Sequence, residues 1–118
     1  MTSPNELDAV QAAAAIRAGQ LTSEQLVQAC LNRVDARENV VGAWQHLDRE
    51  KALQEARARD AAPGKGLLHG LPIAVKDIID TAELPTGYGS TIYHAAQPSW
   101  DASCVNLAGW AEACLESR

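Results

Sequence analysis

Lys76 is the residue whose surroundings most suggest chemistry, because it lies inside the most apolar stretch of the sequence. The stretch Ile73–Ile79 is apolar at both alternating sets of positions, which is typical of a strand covered by helices on both faces. A lysine there extends its ammonium to water, pairs with a carboxylate such as Asp77 or Asp80, or loses its proton. Burial disfavours the charged form and can lower a lysine pKa by about 3–5 units. Two interpretations stay open at this point: a strand-end lysine in water, and a buried amine that accepts protons near neutral pH.

Helices are predicted to precede this strand. Ser3 and Thr22 are each followed by Glu or Gln at the third position, which is the pattern of a capping box, and Asp48 is a third candidate N-cap. The three helices are expected to end near Gly19, near residue 36 and at Arg59. We therefore expect the first sixty residues to be largely helical.

Two strands and a last helix complete the prediction. Val40–Trp44 is short, β-branched and aromatic, which favours a strand. Leu71–Ile79 is the most strand-like run, with Pro72 near its start, where a missing N–H is tolerated. From about Ser99 or Asp101, apolar residues at helical spacing predict a helix that reaches Leu115.

Composition and charge exclude several classes of protein. Of the 118 residues, 47% are hydrophobic and 21% charged, so the chain is not wholly disordered. A net charge of −5 argues against a nucleic-acid partner. No apolar run is long enough to cross a membrane and no signal peptide is recognised, so a cytoplasmic location is the default expectation. The cysteines form no C-x-x-C pair and the histidines lack ligand spacing, so neither a disulfide framework nor a metal site is expected.

The segment from Gly66 to Asp77 resembles the amidase signature family. It reads Gly66-Leu67-Leu68-His69-Gly70-Leu71-Pro72-Ile73-Ala74-Val75-Lys76-Asp77 and fits the family pattern G-x-L-x-G-[IL]-P-[IV]-x-V-K-D. A Thr-containing Gly-Ser loop follows at Pro85–Ser90, and the likeness covers about residues 6 to 105. The pattern is specific because it places glycines, a proline, a lysine and an aspartate in one register.

The resemblance implies a hydrolase that cleaves the C–N bond of a small-molecule carboxamide with a Ser–cis-Ser–Lys triad and no cofactor. Lys76 matches the triad lysine, which takes a proton relayed from the nucleophilic serine by a serine in a cis peptide bond. Asp77 matches the aspartate that follows, which we interpret as structural or electrostatic support. The implied fold class is α/β, with the N-terminal helices and the first strands of a mixed sheet flanked by helices.

Residues 1–118 are therefore expected to be a partial amidase domain. A helical part spans 1–61, a Gly/Pro-rich strand–loop block with the lysine motif spans 62–105, and a divergent tail spans 106–118. The family's two serines lie in a downstream Gly/Ser-rich segment, and Ser90, Ser99 and Ser103 do not sit in one. The tail departs from the family after Val105, which suggests a frameshifted, truncated or deliberate fragment that is inactive alone.

Other functions remain open from the sequence. One is the amidase subunit of a tRNA-dependent amidotransferase, although the residues between Asp80 and Tyr93 look more like those of a general amidase. Another is a non-catalytic interaction module or a truncated product without a function of its own. The amide substrate and the oligomeric state are not set by these residues.

Overall fold

The structure is a computed structural model that describes residues 2–62, 64, 66–93, 96–110 and 114–117. Four helices and two short strands follow one another along the described chain, after an initial 3-10 turn at Pro4–Glu6. In chain order they are α1 (Ala9–Arg17), α2 (Ser23–Val41), α3 (Arg49–Ala61), β1 (Pro72–Val75), α4 (Ser103–Trp110) and β2 (Cys114–Ser117). The architecture is α/β, as expected.

The first predicted helix is divided into two pieces. Only half of the capping box expected at Ser3 forms, in which the Glu6 carboxylate accepts the Ser3 N–H at 3.2 Å, and it caps only the 3-10 turn, because Leu7 then adopts an extended conformation. Asp8 starts α1 with a box of its own, in which its carboxylate accepts a 2.7 Å hydrogen bond from the Gln11 N–H. Gly19 follows α1 with a φ of +70°. That conformation favours glycine, so the predicted end of the helix is confirmed.

The helix α2 is longer than predicted, and the strand predicted at Val40–Trp44 is wrong. Thr22 caps the helix as expected, and its hydroxyl accepts the Gln25 N–H at 3.1 Å. The helix then continues to Val41 and ends at Gly42, where φ is +59°. The two valines have little intrinsic preference for a helix, but Gly42 is the first residue that readily adopts the left-handed conformation. Helix α3 begins after Asp48, as predicted.

Two small hydrophobic clusters hold these helices together. In the first, α1 packs on α2 and on the start of β1, with Ala12, Leu26 and Leu71 buried. In the second, α2 packs on α3 through Val27, Leu31, Ala52 and Ala56. Ala52 and Ala56 are fully buried, and their small side chains let the two helices approach closely.

Strand β1 covers four residues of the predicted run and begins at Pro72, as expected. It pairs in parallel with β2, so that Pro72 lies opposite Cys114 and Val75 opposite Ser117. The helix predicted to reach Leu115 is therefore wrong at its end: α4 ends at Trp110, residues 111–113 lie outside the described residues, and the chain then forms a strand. Pairing with β1, a contact distant in sequence, outweighs the local helical spacing. In the described part of the chain, no helix has the length and apolar character that crossing a membrane requires.

Candidate active site

Lys76 is the first residue after β1 and lies in an open cleft of about 520 Å³. The floor and rim of the cleft come from three segments: the end of β1, the chain after α2, and the loop near Gly89. Its lining residues are Ala43, Gln45, Ala74, Lys76, Asp77, Ile78 and Gly89. Lys76 is exposed, which agrees with the interpretation of a strand-end lysine in water and not with that of a buried amine in these residues. The physical reason is that β1 stops at Val75 and the chain turns at once, with the Ile79 N–H bonded to the Lys76 carbonyl at 2.9 Å.

Neither nearby carboxylate pairs with Lys76. Asp77 accepts a hydrogen bond at Oδ1 from the Gly87 N–H at 3.0 Å, and Asp80 accepts one from the Tyr88 hydroxyl. Within the described residues, the ammonium of Lys76 has no hydrogen bond or ion pair. Of the three states that the sequence allows for this lysine, the structure shows the one that extends into solvent.

Asp77 connects the lysine turn to the loop that follows. Besides the bond from its carboxylate to Gly87, its backbone carbonyl accepts the Tyr88 N–H at 2.9 Å. A Cβ at position 87 would lie 2.7 Å from Asp77 Oδ2, so the aspartate approaches the backbone at a place that only glycine leaves open. These contacts give Asp77 the supporting role interpreted from the sequence, since its carboxylate holds the loop rather than facing Lys76.

Asp80 fixes the same loop from its other side. Its carboxylate accepts a hydrogen bond from the phenol of Tyr88, and this bond raises the pKa of the Tyr88 phenol above its usual value, with a smaller contribution from desolvation. Tyr88 has a φ of +54°, uncommon outside glycine, and its ring packs edge-to-face on Tyr93 at 5.5 Å. Three contacts therefore hold the strained backbone of Tyr88: those with the Asp80 carboxylate, the Tyr93 ring and the Asp77 carbonyl.

Further hydrogen bonds join residues 76–93 and 96–102 into one layer beside the cleft, which we call the loop layer. The Asp101 carboxylate accepts the Ala82 N–H at 2.7 Å, and the Asp80 carbonyl accepts the Ala102 N–H at 2.9 Å. The Thr86 N–H donates to the Ala96 carbonyl at 2.8 Å. The loop layer thus brings the segment after Lys76 and the segment before α4 together without regular secondary structure.

A second set of contacts fixes the start of β1, and the sequence reasoning missed it. The Asp60 carboxylate, at the end of α3, accepts the N–H groups of Ser23 and Glu24 at 2.7 and 2.9 Å, so it caps α2 from a distance in sequence. The buried Ser23 hydroxyl donates to the Gly70 carbonyl at 2.7 Å. Gly70 has a φ of +75° and precedes β1 by two residues. Helices α2 and α3 are thereby joined to the strand that ends just before Lys76.

Among the described residues, no hydroxyl or imidazole group lines the cleft of Lys76. Ser90 and His46 line a smaller neighbouring cleft of about 280 Å³ together with Asp77. Ser99 and Ser103 line neither cleft, and His94 lies outside the described residues. Among the residues that the structure describes, no three His, Cys, Asp or Glu side chains are grouped so as to hold a metal ion.

Comparison with known proteins settles the family. The profile of the family described as Amidase matches residues 25–114, which is most of the chain. The chain is 38% identical over 109 residues to one subunit of the glutamyl-tRNA(Gln) amidotransferase of Chloroflexus aurantiacus, covering 89% of this chain and 22% of that protein. It is 37% identical over 105 residues to the putative amidase AmiD of Mycobacterium tuberculosis, covering 86% and 22%.

The chain belongs to the amidase family. Its fold agrees: it superposes on the peptide amidase of Stenotrophomonas maltophilia with a TM-score of 0.88 and 32% identity, covering 99% of this chain and 25% of that one. This amidase-family chain spans only about a fifth of the length of the curated relatives that it matches.

Proposed function

We propose that this chain forms the lysine-bearing part of an amidase site that cleaves carboxamide C–N bonds, with Lys76 as the base. The observation that carries the proposal is the position of Lys76 at the carboxyl end of β1, in an open cleft, within a chain that belongs to the amidase family. Ligands of α/β proteins bind preferentially at this end of a strand, where the chain leaves the sheet. The substrate is a small-molecule amide, and no cofactor takes part.

The proposed chemistry is acyl transfer to serine. A neutral lysine amine takes the proton of a serine in a cis peptide bond, and that serine takes the proton of the nucleophilic serine. The nucleophilic oxygen attacks the amide carbon, the C–N bond breaks, and the nitrogen leaves with a proton. Water then hydrolyses the acyl-enzyme and regenerates the serine. In this scheme Asp77 touches no reacting atom and only holds the loop layer.

The exposure of Lys76 decides what the chain does alone. A lysine base needs a site from which water is excluded, and the described residues leave the cleft open. The 118 residues also hold no Gly/Ser-rich segment to supply the two serines. We therefore propose that the chain by itself does not turn over amides.

A chimera tests this proposal. Residues 1–118 replace the aligned quarter of the Stenotrophomonas maltophilia peptide amidase, and amide hydrolysis is compared for the chimera, the isolated chain and the host lacking that quarter. Turnover by the chimera alone supports the proposal. Turnover by the isolated chain, or a folded chimera that never hydrolyses an amide, contradicts it.

A second candidate is the amidase subunit of a tRNA-dependent amidotransferase. The identity of 41% over 102 residues to one subunit of the glutamyl-tRNA(Gln) amidotransferase of Streptomyces coelicolor favours it. Replacing the aligned part of that subunit by residues 1–118 separates the two candidates. The amidotransferase proposal predicts activity only in the amidotransferase host. The general amidase proposal predicts activity in the peptide amidase host. A chimera that is inactive in both hosts favours a truncated product or a non-catalytic interaction module.

The proposal retains the expected cytoplasmic location. Neither Cys30 nor Cys104 is in a disulfide bond, which fits a reducing compartment.

A further inference from the structure

A larger cavity, of about 620 Å³, is lined by residues different from those around Lys76. Described residues within 13–22, 59–62 and 64–69 border this cavity, which we call the helical cavity. They belong to the end of α1, the start of α2, the end of α3 and the segment before β1. Small-molecule sites in proteins have volumes of roughly 300–1,000 Å³, so the helical cavity is large enough to hold a ligand of its own.

Nitrogen donors line the helical cavity at three places. Arg17 is the last residue of α1, Arg59 lies in the last turn of α3, and His69 precedes β1. A cation at the carbonyl end of a helix is favourable, and Arg17 also donates to the Leu67 carbonyl at 3.3 Å. The chain as a whole has a net charge of −5, so a cavity with two arginines differs in charge from the rest of the molecule.

The guanidinium of Arg59 has no anion opposite it. Arg59 is partly buried, and among the described residues its guanidinium forms no hydrogen bond or ion pair. The neighbouring Asp60 carboxylate is engaged elsewhere, since its two oxygens accept the N–H groups of Ser23 and Glu24. An arginine that is withdrawn from water is usually paired, because its five N–H donors lose hydration. The donors of Arg59 therefore remain for an anion that the described residues do not supply.

The charges of the lining indicate the charge of the ligand. Among the described lining residues, two arginines and the Asp60 carboxylate leave one positive charge when His69 is neutral. A carboxylate carries one negative charge, and its two oxygens fit the planar donors of a guanidinium. A phosphate monoester carries about 1.5–2 negative charges near neutral pH and fits this balance less well. The lining therefore favours a carboxylate.

Most of the other lining side chains are apolar and fit a hydrocarbon body. Ile16, Leu21 and Leu67 lie in the lining together with two alanines. We propose that the helical cavity binds a small organic carboxylate with an apolar body, with Arg59 as the main donor to the carboxylate and Arg17 adding positive charge. Since none of these residues lines the proposed active site, this inference does not rest on the proposed function.

Titration with octanoate tests the site. Octanoate is added to the 118-residue chain and to the peptide amidase chimera, so that the result does not depend on the stability of the chain alone. Calorimetry is expected to show saturable binding. Arg59→Gln should weaken this binding roughly 10-fold or more, because hydrogen bonds between charged groups are lost. If circular dichroism shows that Arg59→Gln has lost its helices, Arg17→Gln takes its place, with weaker octanoate binding as the expected result.

Arg37→Gln is the matched control. Arg37 is exposed on α2 and does not line the helical cavity, and its replacement changes the net charge by the same amount. Octanoate binding should be unchanged in this variant. Equal weakening by the control and by the cavity variant overturns the proposal, as does the absence of saturable binding to both the chain and the chimera.

Analogues of octanoate test the head and the body of the ligand separately. Acetate lacks the apolar body and octanol lacks the charge, so each is expected to bind roughly 10-fold more weakly than octanoate, or worse. Octanol that binds as tightly as octanoate contradicts an anion site, and acetate that does so contradicts the apolar body. Octyl phosphate that binds more tightly than octanoate contradicts the choice of a carboxylate.

Amide NMR of the titrated chain locates the ligand. Octanoate is expected to shift the backbone amide signals of Gly19 and His69, which line the helical cavity. The amide signal of Gly89, which lines the cleft of Lys76, should stay unchanged. Saturable shifts that occur only around the cleft of Lys76 overturn the proposal.

Discussion

At the scale of single residues, carboxylates fix the loop beside the candidate base. The Asp77 carboxylate accepts the Gly87 N–H and the Asp80 carboxylate accepts the Tyr88 hydroxyl, so both acids close to Lys76 in sequence are already engaged. Neither of these two carboxylates therefore pairs with Lys76.

Thr81 and Thr86 are both buried in the loop layer, and we expect replacement by valine to change the free energy of unfolding in opposite directions at the two positions. Thr86 is 1% exposed and its hydroxyl has no hydrogen-bond partner among the described residues, whereas the buried Thr81 hydroxyl donates to the Leu84 carbonyl at 3.1 Å. Replacing an unsatisfied buried hydroxyl by a methyl group removes its desolvation cost. Thr86→Val is therefore expected to raise the free energy of unfolding by about 1 kcal/mol, and Thr81→Val to lower it by about 1–2 kcal/mol. Urea unfolding of the two variants measures this, and two changes of the same sign contradict it.

The bond between Tyr88 and Asp80 predicts a displaced tyrosine titration. The raised pKa means that the folded chain holds the phenolic proton more tightly than the unfolded chain. The linked stability is therefore fully present below the ordinary tyrosine pKa of about 10 and is lost as the pH rises through the higher folded value. The chain has two tyrosines, so Tyr93→Phe leaves Tyr88 as the only phenol to follow by ultraviolet absorbance. Adding Asp80→Asn is expected to move that titration back towards the ordinary value, and an unchanged midpoint contradicts the assignment.

At the scale of elements, the arrangement of α2, α3 and β1 depends on one junction. Asp60 at the end of α3 supplies the cap that neutralises the first N–H groups of α2, and Ser23 in the first turn of α2 binds the carbonyl just before β1. A helix start, a helix end and the residues just before a strand thus meet around the buried Ser23 side chain. The position of Lys76, six residues beyond Gly70, follows from this junction.

Substitutions that break this junction are expected to destabilise β1 locally. Ser23→Ala leaves the Gly70 carbonyl without its 2.7 Å partner, which costs about 1–3 kcal/mol for a buried acceptor. Gly70→Ala adds a Cβ only 3.0 Å from the Ser23 Cβ at a backbone conformation that alanine disfavours. Both variants should speed amide hydrogen exchange at Leu71 and Val75. Gly19→Ala is the control for backbone strain, since a Cβ there meets no atom within 4 Å, and exchange in β1 should stay unchanged.

Local patterns in the sequence predict where the helices begin, but they do not predict the contacts between elements that are distant in sequence. Thr22 and Asp48 were recognised because capping depends on residues three positions away. The cap that Asp60 supplies to Ser23 connects residues 37 apart, and no local pattern marks it. The pairing of β2 with β1 was missed for the same reason. The sequence leaves the exposure of Lys76 open because the apolar run continues past Val75, whereas the strand ends there.

At the scale of the whole molecule, the chain has the fold of a quarter of the peptide amidase and is slightly less compact than a domain of its length. Its radius of gyration is 14.5 Å, compared with about 13.5 Å for a compact domain of this length. Its buried apolar residues form two separate small clusters. The core of the described residues is therefore small for a chain of this length.

The isolated chain is accordingly expected to be marginally stable. A full domain of this length has about 6–18 kcal/mol of unfolding free energy, at 0.05–0.15 kcal/mol per residue, and we expect less than the lower bound here. A broad thermal transition and binding of a hydrophobic dye should accompany it. A sharp, cooperative transition without dye binding is the result expected of an autonomous interaction module, and it contradicts this prediction.

The role of Lys76 is tested most directly by the rate of amide hydrolysis in the peptide amidase chimera after Lys76→Met, with Lys51→Met as the matched control, since Lys51 pairs with Glu83 outside the cleft. Losing a positioned base should lower kcat by a factor on the order of 10²–10⁴ or more, while KM changes little. The control should keep the parent rate and both variants should stay folded. A Lys76→Met chimera that hydrolyses amides as fast as its parent contradicts the proposal that this lysine is the base.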